Sequence, residues 1–362
     1  MITVNKPFLP PKEEYLKLLE GVWKRNWLTN HGPLVSELEI KFKEYLGVEH
    51  NLFVVNGTFA LQLAIKALEL SGEVITTPFS YIATTSSLVW EGLTPVFADV
   101  DPNTLNMDPS NIEPLITENT TAIMATHVYG NPCQIDKIRQ ISDKHDLPVI
   151  YDAAHCFGTS YKGKSVLACG TISAISYHAT KLFHTVEGGG VFTGSPELLE
   201  KMARLRNFGH VSAYEFKGAG VNGKASEMHA AMGLANIKYA DEILTKRKQL
   251  AEYYDHKLEQ LDVKRPTKNP EAEVNYTYYP IIFDSEEHLL KQQQILEENY
   301  IQTRRYFYPS LSQLHYINTK NETPIANDLA SRVLCLPMYH ELSEEEIDMI
   351  ARLMLRTQNY NY

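Results

Sequence analysis

The chain of 362 residues has only four cysteines, Cys133, Cys156, Cys169 and Cys335. They form no C-x-x-C pair and lack the close spacing of a disulfide framework, so a cysteine-stapled scaffold is excluded. No apolar run is long enough to span a bilayer. The start, "MITVNKPFLPPKEEYLKLLEG", has no basic region followed by an apolar stretch, so no secretory signal is read there and a cytoplasmic protein is expected. Positive charge is also in short supply: 34 Lys and Arg stand against 44 Asp and Glu, a formal charge of −10. That balance argues against a general nucleic-acid binder. It leaves room for a phosphorylated small molecule, whose charge can be met locally by amides and a few cations. With no repeat and no low-complexity tract, a chain of this length is expected to form two domains.

What is present is an alternation. "LFVV", "EVITT", "PVFADV", "TAIMATHV" and "PVIYD" read as strands. Between them "FALQLAIKALEL", "YIATTSSLVW" and "QIDKIRQISDKH" carry helical spacing. Strands alternating with helices predict an α/β domain built on a largely parallel sheet, with ligands at the carboxyl ends of the strands. After Ser226 a long helical stretch begins. It is followed by a polar connection, the strand-like "YTYYPIIF", a helix over "EEHLLKQQQILEEN", and a last helix from Ser343. Residues 1–238 are therefore expected to form the large domain, and 239–362 a smaller α+β domain.

Three strand ends converge on one chemistry. Asp152 closes the apolar strand "LPVIYD", and Lys181 follows the next strand in "ISAISYHATKLFHTVEGGG". A lysine kept in such a place either snorkels to solvent or serves as an amine nucleophile. A strand-end lysine facing a strand-end carboxylate supplies what pyridoxal phosphate needs: an amine for its aldehyde and an acid to keep the ring nitrogen protonated. Asn56-Gly57-Thr58 lies between a strand and a helix start, where amides and the helix dipole favour a phosphate. Ser176 is a second donor for it, and the Tyr81 ring can cover the pyridine face. Each element has a plainer structural alternative: Asp152 as a helix cap, Thr58 as the N-cap of an ordinary turn, Tyr81 as a packing residue.

Two further patterns compete. "GAGVNG", Gly218 to Gly223, is a literal G-x-G-x-x-G, with Asp241 further on as a nicotinamide site would have it. However, no strand precedes it, and Asp241 falls inside a helical stretch. His127, His155, His178 and His184 all lie near strand ends, but without the spacing of a zinc motif. No metal is expected, and the role of His184 stays open.

The ordered series "NWLTNHGP", "NGTFAL", "TTPFSYIAT", "YDAAH", "SYHATK…EGGG", "GVNGKASEMHAAMGLANI" and "SRVLCLPMYHELSEEEI" resembles the DegT/DnrJ sugar aminotransferases of PLP fold type I. The resemblance implies Lys181 as the Schiff-base lysine and Asp152 as the partner of the pyridinium nitrogen. It also implies Tyr81 as the stacking aromatic, His155 beside the 3-hydroxyl, and Gly57, Thr58 and Ser176 at the phosphate. Asn222 would reach the phosphate of the neighbouring subunit, so a homodimer with shared sites is implied. "HATKLFHTVEGG" is similar to relatives acting at C-4 of the hexose. It implies dTDP-4-keto-6-deoxyglucose as acceptor and L-glutamate as donor. A C-3 ketosugar or a UDP carrier is the alternative, and an NAD-dependent oxidoreductase a distant one. Asn30, His178, Arg304, Tyr306, Tyr308 and His315 are the candidate substrate contacts.

Overall fold

The structure, a computed structural model, describes residues 1–317 and 321–360. Its main sheet has seven strands: β1 (His50–Val54), β2 (Glu73–Thr76), β3 (Thr94–Phe97), β4 (Thr120–Thr126), β5 (Val149–Asp152), β6 (Ile172–Ser176) and β7 (Gly189–Thr193). The spatial order is β1-β7-β6-β5-β4-β2-β3. Only β7 runs antiparallel to its neighbours β1 and β6; the remaining pairs are parallel. Both faces are covered, as a parallel sheet requires. Strand alternation divides the side chains between two cores. Phe53 of β1 joins Leu38, Phe42 and Tyr177 on one face, while Leu52 and Val54 join Leu61 and Ala64 on the other.

Helices α1 (Lys12–Arg25), α2 (Pro33–Leu46), α3 (Gly57–Ala67), α4 (Ala83–Trp90), α5 (Ile135–His145) and α6 (Pro196–Leu205) belong to this α/β body. The long helical stretch after Ser226 is two helices. α7 (Glu227–Asn236) and α8 (Ala240–Lys257) are joined by a single 3₁₀ turn over Ile237–Tyr239. The expected division at 238/239 falls on that joint. Ala240 and Ile243 of α8 pack into the large core, and Leu250 and Tyr254 into the smaller one.

The smaller core is built on an antiparallel pair, β8 (Tyr279–Ile282) and β9 (Val333–Leu336), with α9 (Glu286–Glu298), α10 (Pro324–Arg332) and α11 (Glu344–Tyr360). One part of the chain departs from the expected domain assignment. Ile2 is buried in the smaller core, and its backbone bonds to Tyr300 and Gln302 at 2.9 and 2.8 Å. The first residues thus belong with the carboxyl-terminal half, because an apolar Ile2 finds its buried site there. No helix among the described residues is long and apolar enough to cross a membrane.

Candidate active site

The carboxyl ends of β1, β5 and β6 open into a cleft of about 390 Å³, closed on the far side by Tyr278, Arg304, Tyr306 and Phe307. At β1, the helix α3 begins directly. Its N-cap is Asn56, whose Oδ1 accepts from the Phe59 amide at 2.8 Å, and not Thr58 as the turn alone suggested. The amides of the first turn, Gly57 and Thr58, have no intrahelical acceptor there, and Thr58 is exposed in the cleft.

The glycines around this cup are explained by contact. A Cβ on Gly57 would stand 2.7 Å from Ser176 Cβ, so glycine lets the end of β6 close on the helix start. A Cβ on Gly189 would lie 2.4 Å from the Asn56 carbonyl, which accounts for the middle of the Gly188–Gly190 run. The result is a concave surface of amides and hydroxyls, aligned with a helix dipole.

Asp152 ends β5 and is 5% exposed. Burial pushes its carboxyl pKa up, against the pull of a Thr84 hydroxyl, the Ala154 amide and the Lys181 charge. Thr84 donates to Oδ2 at 2.6 Å and the Ala154 amide to Oδ1 at 3.1 Å. No helix follows, so Asp152 is not a helix cap.

Lys181 stands on a clip thrown out between β6 and β7. The clip is closed by backbone bonds from Tyr177 to Gly188, Thr185 to Tyr177 and Ala179 to Val186. Val186 holds φ at 69°, a left-handed conformation that a β-branched residue rarely adopts. The Lys181 ammonium loses hydration in the cleft, which lowers its pKa from 10.5 to about 8; the Asp152 charge partly opposes that fall. The lysine is thus placed and poised as an amine rather than snorkelling.

His155 is buried with its ring stacked on Phe307, centroids 5.8 Å apart, and edge-on to Tyr278 at 5.0 Å. Its Nδ1 has no hydrogen-bond partner among the described residues, and desolvation holds the imidazole well below the usual histidine range. Tyr81 is 53% exposed at the cleft. His178 also lines it, with Nδ1 at 2.8 Å from the Thr180 hydroxyl and Nε2 at 3.4 Å from Glu187. On the far wall are Arg304 and Tyr306, the guanidinium lying 5.2 Å from the Tyr306 ring centroid.

Four expected contacts lie outside this cleft. Tyr308 lies under the Arg305 guanidinium at 3.5 Å, and His315 meets the Tyr316 ring at the surface. Both rings are held by neighbours in their own loop. Asn30 lines a separate depression of about 520 Å³ with Arg206, Asn207 and Lys224. Asn222 is exposed, its backbone bridged to Asn207, so it shares that neighbourhood and not its own chain's cleft.

The competing patterns resolve into structure. Asp241 lies in the first turn of α8, where it accepts from the Tyr45 hydroxyl at 2.6 Å, and no strand leads into Gly218. His155 and His178 line the cleft, while His127 and His184 are taken up in packing. His127 stacks on Tyr151 and accepts from the Cys133 amide, with burial pushing its pKa down to about 3. His184 donates from Nε2 to the Phe8 carbonyl at 2.6 Å and accepts the Val186 amide at Nδ1, so it ties the amino-terminal arm to the lysine clip. No cluster of three or more potential metal ligands occurs among the described residues.

Sequence reasoning placed Asn56 at the cup but missed its capping role, and it missed Thr84 and the aromatic wall of Tyr278 and Phe307. Asn56 was legible, since Asn is a preferred N-cap. The wall was not, because Tyr278 and Phe307 come from distant stretches of chain and pack in a separate cluster with Phe79 and Tyr129.

A buried amine opposite a buried acid, with an anion cup beside them, equips an α/β enzyme for group transfer through a lysine. The comparisons with known proteins agree. The model of the DegT/DnrJ/EryC1/StrS aminotransferase family matches residues 11–355, and the chain belongs to that family. It is an aminotransferase. It is 43% identical to a Shigella dysenteriae protein named dTDP-4-amino-4,6-dideoxy-D-glucose transaminase, over 96% of this chain and 97% of that one. An Escherichia coli protein of the same name is 39% identical, over 98% of each chain. The crystal structure of DesI with its TDP-sugar product superposes with a TM-score of 0.95 at 31% identity, over 99% of this chain and 93% of that one.

Proposed function

We propose that this aminotransferase moves an amino group from L-glutamate to C-4 of a nucleotide-linked 4-keto-6-deoxyhexose. dTDP-4-keto-6-deoxy-D-glucose is the substrate of first choice, and pyridoxal phosphate held on Lys181 is the cofactor. The observation that carries this is the pairing of a depressed lysine with a buried aspartate beside the Gly57–Ser176 cup. The similarity to proteins named for the C-4 amination supports the choice of sugar.

The residues fit the cofactor. Thr58, Ser176 and the first amides of α3 suit its phosphate. Asp152 suits the ring nitrogen, Tyr81 the ring face, and the unpartnered Nδ1 of His155 the ring hydroxyl. When bound, the cofactor supplies an electron sink for the carbon that bears the amine. The chain does the rest. Asp152 would keep a proton on the ring nitrogen, and the Lys181 amine, partly neutral near pH 8, would carry the proton between the substrate carbon and the cofactor. Arg304 is the cation available on the opposite wall for an anionic part of either substrate.

The enzyme works as a cytoplasmic homodimer with shared sites. The support for shared sites is Asn222, which is exposed and lies outside its own chain's cleft. A panel of dTDP-, GDP- and UDP-linked 3- and 4-ketosugars with glutamate tests the substrate; amination confined to a 3-ketosugar would overturn the C-4 assignment. Mixing Lys181→Ala with Asn222→Ala chains under subunit exchange tests sharing. Recovery above either parent is expected, and no recovery despite exchange would overturn it.

A further inference from the structure

Behind Asp152 runs a line of three hydroxyls that the transfer chemistry above does not use. Thr126 ends β4 and stands in register with Asp152 on β5. Its Oγ1 donates to Ser80 Oγ at 3.0 Å. Ser80 Oγ lies 2.7 Å from Thr84 Oγ1, one helical turn on, and Thr84 donates to Asp152 Oδ2 at 2.6 Å. All four side chains are at least nine-tenths buried, Thr84 completely.

The direction of this line follows from proton counting. A hydroxyl has one proton to give. Thr84 gives its proton to the carboxylate, so Ser80 must donate to Thr84, and Thr126 to Ser80. Every donor then points towards Asp152, and the distances shorten along the way, as expected when a charge polarises a chain of hydrogen bonds. Oδ1 is held separately by the Ala154 amide. The other titratable groups facing Asp152 are Lys181 and Cys156, and neither hydrogen-bonds to it. Among the described residues, Thr84 and the Ala154 amide are the groups that bond to the carboxylate.

We propose, on the footing that Asp152 faces the ring nitrogen of pyridoxal phosphate, that Thr84 is a positioning residue which, backed by Ser80 and Thr126, holds the carboxylate ionised and aimed at that nitrogen. The line laces the start of α4 to the ends of β4 and β5, so helix and sheet together set the acid's orientation.

The test compares wild type with Thr84→Val, Thr84→Ser and Ser80→Ala. The readouts are the dissociation constant for pyridoxal phosphate by fluorescence titration, the ¹⁵N shift of ring-labelled cofactor, and melting of the cofactor-free protein. Loss of a hydrogen bond to a charged group predicts that Thr84→Val weakens the cofactor about tenfold. The ring nitrogen should move towards its unprotonated shift. Thr84→Ser restores both. Ser80→Ala, which leaves the last bond in place, weakens binding about two- to threefold. If Thr84→Val does not fold, Ser80→Ala carries the test. A wild type that binds cofactor, with Thr84→Val or Ser80→Ala indistinguishable from it in affinity and ¹⁵N shift, overturns the relay alone. A wild type that takes up no pyridoxal phosphate overturns the cofactor assignment and the relay with it.

Discussion

Lys181 carries a consequence that can be measured without any cofactor. Loss of hydration brings its pKa to about 8 from the ordinary 10.5. At pH 7 about one molecule in ten then has a neutral amine, against roughly one in three thousand for an ordinary lysine, a gain of about three hundredfold in reactive form. Trace acetylation followed by peptide mass spectrometry reads this directly, because only the neutral amine reacts. Labelling of Lys181 should climb about tenfold per pH unit below 8 and level off above it. Asp152→Asn adds a sign test. The Asp152 charge raises the lysine's pKa, so its removal should move the midpoint below 8. A midpoint near 10.5 would refute desolvation as the cause, and an upward shift in Asp152→Asn would refute the opposing effect of its charge.

Two other perturbations follow from contacts. Gly57→Ala puts a Cβ 2.7 Å from Ser176 Cβ and 3.1 Å from its Cα. Overpacking of this kind costs about 1–3 kcal/mol, and the cup should open, so titration should show weaker cofactor binding together with a lower melting temperature. Wild-type values of both would refute the close-approach argument. His184→Ala leaves the Phe8 carbonyl and the Val186 amide without their partner. Urea unfolding should show a loss of roughly 2 kcal/mol, and equal stability would remove the arm-anchoring role.

How much of this was legible beforehand varied with the origin of each contact. Lys181, Asp152, Gly57 and Ser176 could be read because strand ends in a parallel sheet meet at one edge, whatever the details of packing. Thr58 lines the cleft but is not the cap, since Asn56 holds that place and its Oδ1 accepts from the Phe59 amide. The Ser80–Thr84 line was not legible: its helical spacing is visible in "SYIAT", but its partners Thr126 and Asp152 come from two other strands. Tyr308, His315 and Asn30 failed to reach the cleft for a related reason. Tyr308 and His315 are held by neighbours within irregular segments, as by Arg305 over Tyr308, and spacing carries no signal for that. Ile2 joined the smaller core because buried area, not order along the chain, decides where an apolar residue settles.

The central claim is that Lys181 is the amine through which this enzyme works. The most direct measurement is to add pyridoxal phosphate to the purified protein, reduce with borohydride, and map the modified peptide by mass spectrometry. A single stoichiometric pyridoxyl group on Lys181, absent from Lys181→Ala, is the expected result. Modification spread over exposed lysines with Lys181 unlabelled would contradict it.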